Sequence, residues 1–322
     1  MELELNKAQQ KGWKLLDNAN RLAPFGSALQ KCGLVPININ VKAIEGEHGP
    51  IYKGLKECRS AWACPRCTPA RSAYKGEIFN TIHNEALGLG YKPIMLTYTI
   101  QHKKGENLKD LLSMIKECWR NIFKGKRGKR FLKIAYGYIS CIEITHGKNG
   151  WHPHFHVLFY LKKCVPDENV KAWLIEPYTD KLMSLGKVVR RITVNITEWH
   201  GGSDYLTKGS MVSELTGQFN KDRSRNIMDI LSNAKRGNQW HNLYLEFINA
   251  TKGVKAINTS GQVTARYKEL DQAKKLKRKE AEKNEIVLKT FSRSEWMDVV
   301  SSGLRYEVLA VLSADNKNHL TK

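Results

Sequence analysis

Hydrophobic and polar positions change period several times along this chain, and each change marks an element. From Arg71 the apolar spacing of Arg71-Ser-Ala-Tyr-Lys-Gly-Glu-Ile-Phe-Asn-Thr-Ile fits a helix running to Gly88-Leu-Gly90. Pro93 to Ile100 is β-rich, an amphipathic helix is predicted over Leu108 to Phe123, and Tyr138 to Thr145 has strand character. Gly150 to Phe159 reads as a second strand, and His146-Gly-Lys-Asn-Gly150 between the two carries hairpin chemistry, with Asn-Gly its strongest part. Trp173 to Gly186 is predicted helical and Val188 to Ile196 a strand, and Ser203 is placed to cap a helix beginning at Asp204. After about residue 260 apolar anchors thin out. Arg266 to Lys289 suits an exposed, mixed-charge helix, and Phe291 to Val300 and Leu304 to Leu312 look like a short helical pair.

Histidine occupies every second position at the start of the Gly150 strand. Side chains alternate across a strand, so His152, His154 and His156 project from one face while Phe155, Val157 and Phe159 enter the core from the other. Imidazoles stacked in this way can share one divalent ion. Hairpin parity then decides whether a carboxylate joins them. A loop of two or four residues puts Glu143 opposite His154 or His156 on the same face, and an odd loop turns it away. The expected site is a His-x-His pair with Glu143, and a structural zinc in this strand pair is the competing interpretation.

Composition adds the partner. With 322 residues, 41% of them hydrophobic, the chain can bury one core of ~150–200 residues plus smaller appendages. A formal net charge of +22 and a pI near 9.7 favour a polyanion, and without an apolar run of membrane-spanning length that polyanion is nucleic acid rather than a bilayer. The segment MELELNKAQQKGWKLL has no apolar signal-peptide core, so a cytoplasmic location is expected. In a reducing compartment Cys58, Cys64 and Cys67, spaced Cys-x5-Cys-x2-Cys, form a zinc cluster before a disulfide framework. Cys32, which precedes a glycine, is preferred to His48 as the fourth ligand of a closed structural site; three buried thiols without metal are the alternative. Three regions are expected: 1–90 with the cysteines, 91–260 with the histidine strand, and 261–322 as a charged helical tail.

Two further features carry chemistry. Lys124 to Lys133 holds six basic residues and no acid, and Lys124, Lys126, Arg127, Lys129 and Arg130 would either track phosphates or line a solvated loop. Tyr205 and Lys208 would share a helix face at i,i+3 spacing. A phenolate there can attack a phosphodiester, and the lysine can neutralise a phosphate oxygen or lower the phenol pKa. Tyrosines on amphipathic helices are, however, ordinarily packing residues.

Together these segments resemble the rolling-circle replication initiators of small plasmids, members of the HUH endonuclease superfamily, and in particular the single-tyrosine branch with an N-terminal cysteine cluster. Met95-Leu-Thr-Tyr-Thr-Ile100 is similar to the first family motif. Ile142 to Thr145 leading into Gly150-Trp-His-Pro-His-Phe-His-Val-Leu158 is similar to the second, and Tyr205-Leu-Thr-Lys208 to the third. Cys58 to Arg71 resembles the family's leader and Trp240 to Gly253 a late block, so the likeness spans about residues 32–255.

The resemblance implies an α+β fold whose central antiparallel sheet carries two His ligands, with helices packed on it and a tyrosine helix brought over the metal. It implies His154 and His156 as ligands of Mn²⁺ or Mg²⁺, Glu143 as the third, Tyr205 as nucleophile and Lys208 as a phosphate-side cation. His152 would be a ligand, an outer support or a DNA contact, and the cysteines would hold structural Zn²⁺. The implied substrate is single-stranded or extruded origin DNA, nicked to a 5′-phosphotyrosyl enzyme and a 3′-OH primer with later strand transfer, with host helicase and polymerase as partners. The chain departs from the pattern at Gly201-Gly202, where the family places an acid one turn before the tyrosine, so Glu198, Asp204 or another route would activate water in termination. A related transposase of single-stranded mobile DNA and a non-catalytic zinc-containing DNA-binding protein are the competing functions.

Overall fold

The computed structural model describes residues 2–46, 49–190, 193–198 and 225–320. In chain order the elements are α1 (Glu2–Leu22), β1 (Val41–Ile44), β2 (Ile51–Lys53), α2 (Cys67–Gly88), β3 (Tyr91–Thr99), α3 (Leu108–Ile122), α4 (Gly125–Ile134), β4 (Ala135–Gly147) and β5 (Gly150–Lys162). Then come α5 (Asp167–Val170), a π-helical turn (Lys171–Ile175), α6 (Glu176–Ser184), β6 (Val194–Glu198), α7 (Ile227–Asn233), α8 (Gln239–Thr251), β7 (Ile257–Thr259), α9 (Gly261–Ala281), β8 (Val287–Phe291), α10 (Arg293–Ser302) and α11 (Arg305–Leu320). The chain is α+β, and it forms two compact units: residues 1–71, 231–245 and 273–322 in one, 72–230 and 246–272 in the other.

The larger unit is built on a five-stranded antiparallel sheet in the order β6-β3-β5-β4-β7. β5 lies at its centre because it is buried almost throughout and can be covered on both faces. One face packs against α3. That helix starts at Asn107, whose side chain accepts from the Lys109 amide, and Glu246 accepts from the Leu108 amide, so two N-terminal donors are satisfied. Its inner stripe carries Leu111, Ile115 and Trp119, and burying each of these aliphatic side chains contributes roughly 1.5–3 kcal/mol. Trp119 stacks on Phe155 with ring centroids 5.2 Å apart and meets Tyr98 and Tyr138 edge-on. The opposite face of the sheet presents Met95, Ile139, Leu158 and Tyr160 to Ile78, Phe79 and Ile82 of α2 and Val263 of α9.

The smaller unit holds the three-stranded sheet β2-β1-β8, with Tyr52, Phe291 and Trp296 at its core. Trp296 donates its indole N–H to the Leu34 carbonyl at 2.7 Å. Arg305, 2% exposed, is satisfied by the Gly33 carbonyl and the Asp17 carboxylate and lies over the Trp13 ring.

Several elements differ from expectation. Lys124 to Lys133 is not a loop but the helix α4, anchored by buried Phe131; a Cβ on Gly128 would lie 2.4 Å from the Phe123 carbonyl carbon, so only glycine allows this close return of the chain. The helix expected over Trp173 to Gly186 begins earlier, at Asp167, and is interrupted by the π turn before Pro177 restarts it as α6. The strand expected from Val188 starts only at Val194, after a turn in which the Thr193 amide donates to the Arg190 carbonyl. The tail helix ends at Ala281, and Val287 to Phe291 instead pairs with β1. The helix expected from Asp204 lies outside the described residues.

Candidate metal centres

The β4–β5 hairpin turns over Lys148-Asn149, pairing Gly147 with Gly150. Gly150 sits at φ +85°, a left-handed position that side chains resist, while Lys148 and Asn149 keep negative φ; a tight turn followed by such a glycine closes the hairpin without shifting the parity of the strands. The two-residue loop therefore places Glu143 directly opposite His154. Glu143, His154 and His156 come together on the face of the sheet that also carries Met95, Leu158 and Tyr160, so the site is the polar continuation of a dry core.

One carboxylate oxygen of Glu143 lies 2.6 Å from Nε2 of His154 and 2.9 Å from Nε2 of His156. The histidines are 6% and 7% exposed, so these groups are largely withdrawn from water. Burial works to raise the Glu143 pKa, but hydrogen bonds from His154 and His156 outweigh it and hold the carboxyl well below the usual range. The far side of each ring is also engaged. His154 Nδ1 faces the His152 carbonyl at 3.3 Å, which accepts, and His156 Nδ1 lies 3.1 Å from the Thr97 hydroxyl. Both Nε2 atoms are thus aimed at the shared oxygen by contacts behind them, as outer supports of metal-binding histidines do.

His152 is not among the converging atoms. Its Nδ1 lies 3.1 Å from Nε2 of His102, a residue that sequence reading missed because no periodicity marks it. Thr97 sits within the Met95–Ile100 segment, yet only the β3–β5 register, which pairs it with His156, reveals its role. Cys141, paired with His156 across the β4–β5 ladder, is pushed up to about 12 by burial, with the Glu143 charge adding to it, and is a neutral core thiol.

In the other unit Cys32, Cys58, Cys64 and Cys67 bring their sulfurs within 4.8 Å of one another. Cys32 Sγ is 3.6 Å from both Cys64 Sγ and Cys67 Sγ, far from disulfide length and near the spacing of about 3.8 Å that a tetrahedral zinc with bonds of about 2.3 Å imposes. Backbone amides of Cys58, Ser60 and Cys67 point at sulfurs of Cys32, Cys58 and Cys64. Arg59 takes φ +53°, a strained value for a side-chain-bearing residue, inside this loop. Hydrogen bonds within the cluster, those to Cys32 foremost, push Cys58 and Cys64 up and Cys67 down, and Cys58 and Cys64 draw Cys32 down. Four thiols so close cannot all ionise without a cation, so the donor set fits a closed zinc site.

Among the basic residues, Lys124 stands at the N-cap of α4, and Lys126 and Lys129 are exposed on it. The side chains of Arg127 and Arg130 lie outside the described residues, as do Tyr205, Lys208, Asp204, His48 and the side chain of Glu198. No described helix is long and apolar enough to cross a membrane.

Residues 51–175 match the model of a family described as replication protein. That stretch contains Cys58, Cys64, Cys67, Thr97, Glu143 and all three strand histidines. Over 105 residues the chain is 36% identical to a protein rep from Bacillus sp., covering 31% of this chain and 33% of that protein. It is likewise 36% identical over 105 residues to a protein rep from Bacillus amyloliquefaciens, covering 31% and 30%. A neomycin resistance protein from Streptomyces cyanogenus is 24% identical over 132 residues, covering 33% and 30%. The chain spans about a third of the length of these curated relatives. No solved structure matches.

Proposed function

We propose that this chain, whose residues 51–175 carry the replication-protein domain, initiates plasmid replication as a metal-dependent, HUH-type nickase of single-stranded origin DNA. One observation carries the proposal: a buried carboxylate and two imidazoles converge from adjacent central strands, with their outer nitrogens already engaged. A mixed nitrogen and oxygen donor set of three protein ligands suits Mn²⁺, and also Mg²⁺ if water completes the shell. Glu143, His154 and His156 would hold that ion, which when bound supplies Lewis-acid polarisation of a phosphate oxygen.

The chain's own residues do the rest. Tyr205 is the proposed nucleophile: its phenolate oxygen bonds to phosphorus, the bond to the 3′ oxygen breaks, and that oxygen takes a proton to become the 3′-OH primer. Lys208 would neutralise a non-bridging oxygen, and exposed Lys126 and Lys129 on α4 would track the backbone. The 5′-phosphotyrosyl bond conserves energy for later strand transfer, while host helicase and polymerase extend the primer. Glu198 or Asp204 would activate water for release. Two centres with different donor sets favour this proposal over a purely structural zinc protein, because a Glu-His-His set leaves positions open for substrate and a four-cysteine set does not.

The test is covalent capture. Wild type incubated with Mn²⁺ and labelled single-stranded origin DNA should give a denaturation-resistant protein–DNA band, and Tyr205→Phe should give none while retaining DNA and Mn²⁺ binding. An undiminished band from Tyr205→Phe would assign the nucleophile elsewhere, and no band from wild type would overturn the enzyme proposal.

A further inference from the structure

The C-terminal half of α9 has no part in the chemistry above and is the most strongly charged stretch of helix described. Through Val263, Tyr267 and Leu270 the first half packs on the sheet; from Gln272 to Ala281 only Lys274 is even partly covered, and Leu276 is 55% exposed. Lys274, Lys275, Lys277, Arg278 and Lys279 fall within six positions. On a helix this brings Lys274 against Lys277 and Arg278, and Lys275 against Arg278 and Lys279, at spacings where like charges repel by a few tenths of a kcal/mol per pair.

Neighbouring acids are engaged elsewhere. Glu269 pairs with Arg266 at 2.8 Å, Asp271 accepts from the Tyr74 hydroxyl at 2.9 Å, and Glu282 and Glu285 both contact Lys53. Lys268, Lys275 and Lys279, all exposed, lie along one edge at i, i+7 and i+11, a cationic line about 16 Å long at 1.5 Å per residue. Folding gains no apolar burial from this arrangement, and a polyanion laid along it would relieve the repulsion.

We propose that this half of α9 is a second DNA-contact surface, which grips the phosphate backbone of duplex DNA without reading sequence. It rests on the proposal that the chain acts on DNA. Duplex is favoured over single strand because no aromatic residue occurs between Tyr267 and Phe291, so the surface offers no platform on which unpaired bases could stack. A membrane surface is disfavoured because Leu276 is the lone large apolar side chain from Asp271 to Ala281.

The experiment uses the full chain, wild type and a variant with Lys275→Gln, Lys277→Gln, Arg278→Gln and Lys279→Gln. Glutamine keeps helix propensity, so circular dichroism should be unchanged. Binding to a fluorescent duplex of about 30 base pairs lacking origin sequence is followed across salt concentrations. Each lost phosphate contact lowers the slope of log affinity against log salt by about 0.9, so the slope should fall by about 2–4 and affinity at least about tenfold at low salt. The covalent band on single-stranded origin DNA should be unchanged, and lysines at 275, 277 and 279 changed to arginine should restore the wild-type slope. An unchanged slope in the glutamine variant, or an equal loss on single-stranded DNA, overturns the proposal. If wild type forms no covalent band while the slope still falls, the nickase proposal fails and this surface stands.

Discussion

Thr97→Val replaces a hydroxyl with a methyl of nearly the same shape on a strand that favours β-branched residues, so β3 should keep its pairing with β5. What is lost is the 3.1 Å contact between Thr97 Oγ1 and His156 Nδ1. As a hydrogen bond it contributes only about 0.5–1.5 kcal/mol to folding. Its effect on metal binding should be larger, because without it the His156 ring can choose the wrong tautomer or rotate its Nε2 away from Glu143. Outer supports of this kind are typically worth 10–100-fold in metal affinity, or about 1.4–2.7 kcal/mol. The assay is calorimetric titration of metal-free protein with Mn²⁺. Thr99→Val is the control, since the Thr99 hydroxyl bonds the Thr193 carbonyl rather than a ligand ring and the two threonines share strand and face. Thr97→Val should weaken Mn²⁺ binding at least about tenfold with Thr99→Val near wild type. Equal affinity for Thr97→Val and wild type would refute the claim that β3 orients the histidine.

Two further predictions follow from buried titratable groups. His83 is fully buried beside the Tyr160 hydroxyl, and burial pushes its pKa down to about 4. The unfolded chain takes up a proton below about 6.5 that the folded chain refuses, so stability is complete above that pH and falls by up to about 1.4 kcal/mol per unit between 6.5 and 4. Urea denaturation at neutral and mildly acidic pH should show a loss of roughly 2 kcal/mol in wild type that His83→Leu lacks; parallel pH curves would remove the histidine as the cause. Cys67→Ser takes one thiolate from a cluster whose sulfurs already sit near zinc spacing, so bound zinc should be lost and the melting temperature should fall by roughly 5–10 °C. Unchanged zinc content and melting would argue that the four cysteines are core thiols only.

Elements with a strong period were legible from the chain: α3 appears at Leu108–Ile122 and β3 at Tyr91–Thr99, where an apolar stripe and a β-rich run marked them. Elements defined by a partner were not. β7 and β8 are three and five residues long, and their sequences become strands only because β4 and β1 offer edges to pair with. The α4 helix was hidden for an electrostatic reason, since a run of cations suggests solvent, whereas buried Phe131 and the tight approach at Gly128 hold it in place. Pro177 explains the broken helix before α6, but a π turn leaves no periodic signature.

The metal site was more legible than the fold around it, and the reason lies in β5 itself. A strand needs apolar residues on one face to be held centrally, and Phe155, Val157 and Phe159 supply them beneath Trp119. The alternate positions are then free to change chemistry along the strand, from Tyr160 and Leu158 in the core to His156 and His154 at the site. The same alternation that buries the strand therefore aims the ligands, and Glu143 joins by hairpin parity alone. Ligands held this way need little reorganisation when an ion binds. Contacts that cross between strands distant in sequence, Thr97 to His156 and His102 to His152, escape any local pattern because they exist only once β3 and its following loop lie alongside β5. It follows that a nucleophile supplied from elsewhere in the chain is energetically separable from the metal face, which is why loss of the Tyr205 phenol should abolish the covalent band and leave Mn²⁺ affinity intact, whereas loss of the Thr97 hydroxyl should weaken Mn²⁺ binding with the nucleophile still in place.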